Sequence, residues 1–387
     1  MRRPLLNSRL EGFGTTIFAD MSALAAGMDA VNLGQGFPDT DGPEEVTEAA
    51  RAAISAGQNQ YAPGIGVEAL RTAVSAHQQR FYGLGFDPER EVLATTGATE
   101  AIAATILALC DPGDSVVSFE PYYDSYAASI ALAGAEHRVV PLRAPDWSFD
   151  PGQLAAAITD RTRLVLLNSP HNPTGKVFGA EELAAIAALC VERDVIAVTD
   201  EVYEHLVFEG DHIPLASLPG MRDRTVTISS AGKTFSVTGW KIGWICASDE
   251  LVAAVRTVKQ FLTYASGTPF QHAVAIGLAL PDPFYEKVAA ALRDKRDQLC
   301  DGLEQLGFAV MRPASTYFAI VDVRSVGYED GFEFCKELIT RFGVAAIPTE
   351  VFYTDRAAGR PLVRFAFCKR PEVLAEAIAR LRLLARP

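Results

Sequence analysis

The sequence predicts an α/β protein with a mostly parallel seven-stranded sheet in a large domain and a smaller α+β domain. Short runs rich in Val, Ile and Leu alternate with alanine-rich helical patterns through the middle of the chain. The runs are apolar at nearly every position, which is typical of parallel strands covered by helices on both faces. The chain of 387 residues has room for two or three domains, and its 49% hydrophobic content suits a globular protein.

The predicted elements follow in order along the chain. The seven strands of the large sheet are expected at 91–95, 115–119, 138–141, 164–168, 195–199, 226–229 and 242–246. Helical patterns between them cover 99–110, 123–133, 151–158 and 180–193. After residue 251, long helices precede shorter strands near 308–310, 317–322, 344–347 and 362–367. The expected domains are a large one at 41–280 and a small C-terminal one at 281–387, with residues 1–40 forming an N-terminal arm and part of the small domain.

Composition argues against several classes of function. A net charge of −13 disfavours a protein that mainly binds nucleic-acid phosphates or anionic lipid. The six cysteines include no CxxC pair and the histidines have no metal-ligand spacing, so we expect reduced thiols and no metal site. The N-terminus lacks the apolar run of a signal peptide, and no stretch resembles a membrane span. These features predict a cytoplasmic protein with no membrane or nucleic-acid partner.

Polar segments follow four of the predicted strands. They lie at 97–100, 168–175, 200–203 and 229–233. Because ligands bind outside the carboxyl ends of the strands in an open parallel sheet, we expect these segments to meet in one crevice. The motifs of phosphate-loop NTPases, Rossmann dinucleotide-binding proteins, HExxH zinc proteases and GxSxG hydrolases do not occur in the chain.

One segment carries a specific resemblance. The run SAGKTFSVTGWKIG at 230–243, which contains Lys233, resembles the lysine motif of class I/II aminotransferases, enzymes of fold type I that use pyridoxal 5′-phosphate (PLP). Further matching motifs stand in the order of that family: GQGFP at 34–38, NQY at 59–61, EPYY at 120–123, NPTG at 172–175, DEVY at 200–203 and VRF at 363–365. Within the family, the chain is most similar to the kynurenine/glutamine aminotransferases and to N-succinyldiaminopimelate aminotransferases. The resemblance implies an amino-acid donor, a 2-oxo-acid acceptor and a homodimer with shared active sites.

The chemistry of amino transfer explains the residue types that the resemblance marks as catalytic. Lys233 supplies an amine that holds the PLP aldehyde and moves a proton once a dry site lowers its pKa, whereas a lone lysine after a turn is ordinarily a surface residue. Asp200 supplies a carboxylate that keeps the pyridine nitrogen protonated, and a helix N-cap is its ordinary alternative. Tyr203 is also assigned to catalysis, because Asn172 and Tyr203 match the donors to the phenolate oxygen of the ring. The alternative for Asn172 is a turn residue, and the alternative for Tyr203 is a core aromatic residue.

The phosphate group of PLP needs backbone amides and cations. By the resemblance, Gly97, Ala98 and Thr99 bind it at the start of a helix, while Ser230 adds a hydroxyl group. Lys241 adds positive charge. Many relatives carry Arg at this position, so a point charge replaces a planar donor here.

Two tyrosines are expected at the cofactor. Tyr123 matches the residue that stacks on the ring face, with the neighbouring Tyr122 as the alternative. Tyr61 matches the tyrosine that reaches the phosphate from the neighbouring subunit; otherwise it is an aromatic residue in a loop rich in Gly and Pro. With Tyr61 in this role, the site is complete only in a dimer.

The substrate needs a clamp for its α-carboxylate. Arg364 matches the arginine that forms this clamp with two parallel donors, and an ion pair at the sheet border is the alternative. Gly36 is expected to offer its backbone and Asn172 its side chain to the substrate. Three aromatic residues are equally consistent with a side-chain pocket and with core packing: Phe13, Phe37 and Tyr317.

The predicted activity is PLP-dependent amino transfer between N-succinyl-LL-2,6-diaminopimelate and 2-oxoglutarate, in the biosynthesis of diaminopimelate and lysine. The alternatives are a kynurenine-, glutamine- or methionine-type aminotransferase and a cysteine-S-conjugate β-lyase on the same fold. A non-enzymatic regulator with this fold is disfavoured, because the chain has no additional basic helix-turn-helix segment.

Overall fold

A computed structural model describes residues 5–14 and 16–385 of the chain. Its helices are α1 (Ile17–Gly27), α2 (Glu44–Ser55), α3 (Glu68–Tyr82), α4 (Gly97–Leu109), α5 (Asp124–Ala133), α6 (Pro151–Ala157), α7 (Ala180–Glu192), α8 (Ala231–Thr234), α9 (Asp249–Leu262), α10 (Thr268–Leu278), α11 (Asp282–Gln305), α12 (Gly331–Phe342), α13 (Arg356–Gly359) and α14 (Pro371–Leu381). Its strands are β1 (Val31–Asn32), β2 (Val92–Thr95), β3 (Ser115–Glu120), β4 (Glu136–Pro141), β5 (Thr162–Asn168), β6 (Ile196–Asp200), β7 (Thr225–Ser230), β8 (Gly243–Cys246), β9 (Ala309–Met311), β10 (Phe318–Asp322), β11 (Val344–Ala345), β12 (Ile347–Pro348) and β13 (Leu362–Ala366).

The large sheet confirms the predicted seven strands and their mostly parallel arrangement. Its strand order is β2-β8-β7-β6-β5-β3-β4, and only β8 runs antiparallel to its neighbours. Each strand boundary lies within two residues of the expected one. The registry sets Asn168 at the end of β5 beside Asp200 at the end of β6. The polar segments after these strands therefore emerge at the same edge of the sheet.

The apolar character of these strands follows from burial on both faces. In β5, Leu164 and Leu166 pack into one hydrophobic cluster, while Val165 and Leu167 pack into another on the opposite face. Alternate side chains of a strand point to opposite faces, so a strand covered by helices on both sides needs apolar residues at successive positions. The edge strand β4 is less buried than the central strands, which leaves room there for Glu136.

A second sheet forms near the C-terminus. It has four antiparallel strands in the order β12-β13-β10-β9, and α11, α12 and α14 lie against its hydrophobic cluster. The strand predicted at 344–347 consists of two short strands, because β11 pairs with β1 and β12 pairs with β13. The N-terminal segment thus joins the C-terminal one through β1, while the domain boundaries at residues 40 and 280 stay predictions.

The described helices include none with both the length and the apolar character required to cross a lipid bilayer. All six cysteines are buried and free, and burial raises the pKa of several of their thiols.

Candidate active site

A cavity of about 450 Å³ opens at the carboxyl ends of the large sheet. It lies between these strand ends, the N-terminal segment around Gly36 and the antiparallel strands β10 and β13. The structure brings most of the predicted site residues to its wall: Gly36, Phe37, Gly97, Ala98, Thr99, Tyr123, Asn172, Asp200, Tyr203, Ser230, Lys233, Lys241 and Arg364. Segments that lie far apart in the sequence, from Gly36 to Arg364, therefore share one cavity.

Asp200 ends β6 with its carboxylate buried at the cavity wall. The Tyr126 hydroxyl donates to it at 2.6 Å and the Val202 amide lies at 3.4 Å. Within the described residues, no basic side chain forms an ion pair with it inside 4.0 Å. Burial raises the pKa of Asp200 from 3.8 to about 6, and the hydrogen bond from Tyr126 only partly offsets that effect. A cationic group placed in the cavity would stabilise this carboxylate.

Lys233 reaches the same cavity from α8, the short helix that follows β7 directly. Its Nζ lies 5.7 Å from the ring centroids of both Tyr203 and Tyr317. The residue is half-buried, and desolvation lowers the pKa of Lys233 from 10.5 to about 8. The amine is consequently much easier to deprotonate than a surface lysine.

The start of α4 forms a cradle at one end of the cavity. Gly97 has a φ of +73°, and a Cβ on this residue would lie 3.3 Å from Cε of Lys241. A Cβ on Gly243 would lie 2.6 Å from the carbonyl carbon of Gly97, so both positions need glycine. Helix α4 has 13 residues, and its first backbone N–H groups point toward the cavity end where Lys241 adds a cation. This combination suits a phosphate group.

Arg364 lies on β13 at the opposite side of the cavity and is 2% exposed. Its Nη1 donates to Oδ1 of Asn172 at 3.0 Å and its Nη2 donates to the carbonyl of Gly34 at 3.2 Å. Its Nε is buried without a hydrogen-bond partner in the described part of the chain. Burial lowers the pKa of Arg364 to about 10, and neighbouring tyrosines oppose that shift. The guanidinium therefore has donor capacity left for an anion in the cavity.

Asn172 is held by the segment in which it lies. Its backbone N–H donates to Oδ1 of Asn168 at 2.7 Å, and the side-chain amide of Asn168 donates to the carbonyl of Asp200 at 2.8 Å. Because Oδ1 of Asn172 accepts from Arg364, its Nδ2 is the group that can donate to a molecule in the cavity.

The remaining aromatic candidates divide between the cavity wall, the core and the surface. Tyr123 lines the cavity, whereas Tyr122 is buried and its hydroxyl lies 3.3 Å from that of Thr354. Tyr317 is buried beneath the wall, where its hydroxyl donates to the carbonyl of Gly36 at 2.6 Å. Phe13 is exposed and is not part of the cavity wall. Of the three residues left open between pocket and core, only Phe37 lines the cavity.

Tyr61 is also absent from the cavity wall of its own chain. It is 85% exposed and packs edge-on against Tyr264, with ring centroids 5.7 Å apart. Its predicted role toward a phosphate therefore requires a second copy of the chain.

Several cavity residues were missed by the sequence argument. Tyr126 could have been found, because it follows Tyr123 by three positions in a predicted helix and lies on the same face. Phe18 and Phe318 line the cavity without any motif that marks them, and Gln35 lines it from the GQGFP motif although no role was assigned to it. Their positions depend on how the N-terminal segment and β10 pack.

The donor set fits PLP. The wall offers an uncompensated carboxylate for a ring cation, a lysine with a lowered pKa for an aldehyde, and a glycine cradle with a cation for a phosphate. The family model for aminotransferase class I and II matches residues 28–381. The chain belongs to this family. Enzymes of the family depend on PLP, and this aminotransferase shares their fold.

Named relatives agree over nearly the full length. The chain is 52% identical to the probable N-succinyldiaminopimelate aminotransferase DapC of Mycobacterium tuberculosis, with 98% of each chain covered. A solved structure of the M. tuberculosis N-succinyldiaminopimelate aminotransferase superimposes with a TM-score of 0.96 at 51% identity, covering 98% of this chain and 100% of that one. The methionine aminotransferase of Escherichia coli is 41% identical, with 98% and 99% covered. Rat kynurenine–oxoglutarate transaminase 3 is 38% identical, with 95% and 87% covered.

A second group of ionisable side chains is buried outside the cavity wall, and we call it the paired cluster. The Nε2 atoms of His77 and His205 lie 2.7 Å apart, and the carboxylate of Glu204 accepts from Tyr82 at 2.7 Å and from Ser229. Ligating atoms of the two histidines and Glu204 lie within 4.8 Å of one another, a grouping that the sequence spacing did not predict. The two histidines pair with each other and Glu204 has two hydroxyl donors, while Nδ1 of His77 is buried without a hydrogen-bond partner among the described residues.

Proposed function

We propose that this aminotransferase transfers an amino group between N-succinyl-LL-2,6-diaminopimelate and 2-oxoglutarate. The observation that carries the reaction type is the shared cavity of Lys233, Asp200 and Arg364. The donor is supported by the 52% identity to the M. tuberculosis relative over nearly the full length of both chains.

Each group in the cavity has a proposed role in that reaction. PLP, when bound, supplies an electron-accepting ring that stabilises negative charge on the substrate Cα. The buried carboxylate of Asp200 would hold a proton on the ring nitrogen of PLP, because a cation beside it would stabilise its charged form. The amides of Gly97, Ala98 and Thr99, with Ser230 and Lys241, hold the phosphate.

Lys233 is the proposed base and acid at the substrate Cα. A pKa of about 8 leaves an appreciable fraction of the amine neutral near pH 7.5, so Nζ can take a proton from Cα and return it. Asn172 and Tyr203 donate to the ring oxygen, which keeps the ring aligned while the proton moves.

The α-carboxylate of the substrate is proposed to bind Arg364 and the backbone of Gly36. The Nε of the guanidinium is a donor without a partner among the described residues, and Gly36, whose backbone N–H would donate to the carboxylate, is held through its carbonyl by the hydroxyl of Tyr317. Both the amino-acid donor and 2-oxoglutarate carry this carboxylate, so one clamp serves the two halves of the reaction.

The enzyme is also proposed to work as a homodimer. Tyr61 and Phe261 are 85% and 82% exposed, and the half-exposed Tyr264 packs edge-on against Tyr61. The Nζ of Lys259 donates to carbonyls of both segments, at 2.8 Å to Gly64 and 2.5 Å to Tyr264. An apolar surface built on such a rigid support is typical of an interface. Light scattering after size exclusion should give twice the chain mass.

An apolar donor such as methionine or kynurenine is the second candidate. The cavity wall includes the aromatic rings of Phe18, Phe37 and Phe318, which suit an apolar side chain, and the E. coli relative is a methionine aminotransferase at 41% identity. A cysteine-S-conjugate β-lyase would use the same groups and release pyruvate.

A panel of donors with 2-oxoglutarate tests these alternatives. Holoenzyme is given the succinylated diamine, methionine, glutamine, kynurenine and a cysteine S-conjugate, and both glutamate and pyruvate are measured. The highest kcat/KM is expected for N-succinyl-LL-2,6-diaminopimelate. A higher value for methionine or kynurenine would overturn the proposed donor, and pyruvate in excess of glutamate would overturn amino transfer.

The location is proposed to be the cytoplasm. Six buried free cysteines without a bridged pair suit a reducing compartment.

A further inference from the structure

Arg364 is a buried cation without an anionic partner. No acidic side chain of the described residues pairs with its guanidinium inside 4.0 Å, although the group is 2% exposed. A buried charge ordinarily needs compensation, because its transfer from water is costly. Two neutral oxygen acceptors, on Asn172 and Gly34, supply part of this compensation.

Aromatic rings supply another part. The Cζ atom of Arg364 lies 4.0 Å from the ring centroid of Phe318, 5.1 Å from that of Phe352 and 5.2 Å from that of Phe18. Phe18 and Phe352 also pack against each other, with centroids 5.9 Å apart. The faces of such rings carry negative electrostatic potential and attract a guanidinium within about 6 Å.

Phe318 has the shortest contact because of strand registry. In the β10–β13 pair, Phe318 stands opposite Ala366 and Ile320 stands opposite Arg364. Phe318 and Arg364 are therefore diagonal neighbours on one face of the sheet, a separation that an aromatic ring can span.

The same ring also supports Gly36. A Cβ on Gly36 would lie 2.6 Å from Cζ and 2.8 Å from Cε1 of Phe318, so the backbone of Gly36 rests directly on the ring edge. The hydroxyl of Tyr317 fixes the carbonyl of Gly36 from the neighbouring position. Phe318 thus touches both groups that are proposed to hold the substrate carboxylate.

We propose that Phe318 is a positioning residue of the carboxylate clamp, whose ring face holds the guanidinium of Arg364 and whose edge holds the backbone of Gly36. Phe18 and Phe352 complete an aromatic cage that stands where a carboxylate counter-ion would otherwise be. This inference rests on the proposed function of Arg364.

The choice of aromatic rings has a chemical consequence. A protein carboxylate paired with Arg364 would compete with the substrate carboxylate for the same donors. Rings stabilise the charge without occupying its in-plane N–H groups, so the substrate brings the anion that completes the site.

The test replaces the ring and separates binding from chemistry. Phe318→Leu holoenzyme should show KM values raised about tenfold for the amino-acid donor and for 2-oxoglutarate, with kcat changed less than about threefold. The amide of the best donor, which lacks the carboxylate, should be used equally well by wild type and Phe318→Leu.

A matched control is Phe334→Leu. Phe334 is fully buried on α12, packs against Phe308 with centroids 6.0 Å apart, and does not line the cavity. This variant should lower thermal stability while leaving the KM values unchanged. Equal KM increases in both variants, or an equal loss with the donor amide, would overturn the positioning role.

A binding measurement distinguishes this inference from the proposed function. Calorimetry follows 2-oxoglutarate binding to the PLP form of the enzyme, where no amino group is available for transfer. Weaker binding by about tenfold in Phe318→Leu supports the cage even where the donor panel fails. Unchanged binding there, with wild-type amino transfer intact, overturns the cage alone.

Discussion

The cavity and the paired cluster each bury a carboxyl group whose pKa is raised by burial, but the two regions differ in what can reach it. In the paired cluster, Glu204 accepts from Tyr82 and Ser229. In the cavity, Asp200 has a hydroxyl donor and the charge of the more distant Lys233 but no ion pair inside 4.0 Å with a described residue, and Arg364 has carbonyl acceptors but no such ion pair. Since an uncompensated buried charge is costly, a fold that retains two of them in one cavity is prepared for ligands of both signs.

The histidines of the paired cluster strengthen the contrast. His77 and His205 pair with each other through their Nε2 atoms. Next to the cluster, Nε2 of His212 lies 2.8 Å from Oε2 of Glu201. Burial lowers the pKa of His77 to about 3, so this imidazole stays neutral at physiological pH. The side chains of the cluster contact one another, Tyr82 and Ser229, whereas Asp200 and Arg364 face a cavity that a ligand can enter.

The largest effect expected from this contrast is on turnover. Lys233→Ala removes the amine that moves the proton at Cα, and kcat should fall by at least about 10⁴-fold. Single-turnover absorbance measurements of the holo variant with donor check this, with Lys336→Ala, a lysine on α12 that does not line the cavity, as the control. Wild-type turnover in Lys233→Ala would contradict the proposed mechanism.

The next effect is on stability of the apoprotein. Burial raises the pKa of Asp200 from 3.8 to about 6, so the folded protein binds a proton more tightly than the unfolded chain between these values. Stability therefore falls as pH rises through this window, and the full penalty of on the order of 3 kcal/mol is present above pH 6.

Asp200→Asn removes this penalty while keeping an acceptor for Tyr126. Apoprotein with this change should unfold at a higher temperature than wild type at pH 8 and at a similar temperature at pH 3.5. The holoenzyme should lose turnover. The exposed residue Asp160 provides the control, since Asp160→Asn should change neither midpoint. A stability gain that is the same at both pH values would refute the buried-charge explanation.

The paired cluster should respond in the opposite direction. Tyr82→Phe deletes a donor to Glu204 and leaves a buried acceptor with one partner fewer, at a cost of about 1–3 kcal/mol. Chemical denaturation should show this loss, while kcat stays near wild type. A stabilised Tyr82→Phe protein would remove the distinction between the two regions.

The smallest effect concerns the exposed aromatic pair. Tyr61→Phe should weaken PLP binding by about tenfold, because one hydrogen bond from the partner copy to the phosphate is lost. Fluorescence titration of the apoprotein measures this Kd. Tyr264→Phe is the matched control and should bind PLP normally. An unchanged Kd in Tyr61→Phe would argue against a site shared between subunits.

Much of the site was predictable from local patterns. Asp200 ends β6, and Asn172 and Lys233 follow the ends of β5 and β7 within four residues. The apolar runs of these strands can be detected from neighbouring residues alone. The segment at 344–347 was less predictable, because its few residues divide between two sheets.

Aromatic residues showed the limit of local reading. Phe37 and Tyr317 were equally consistent with pocket and core, and the structure separates them, with Phe37 at the cavity wall and Tyr317 behind it. No sequence feature predicted that Phe18 and Phe318 line the cavity, since the sequence around an isolated phenylalanine does not distinguish a core position from a position beside a buried cation.

The amino-acid order alone determined the alternation of strands and helices and the polar residues that end the strands, because hydrophobic periodicity and turn chemistry act over a few neighbouring residues. Only the tertiary structure decided that the ring of Phe318 lies against Arg364 and that His77 meets His205. Such contacts join distant segments, and they depend on strand order, registry and the packing of side chains between elements.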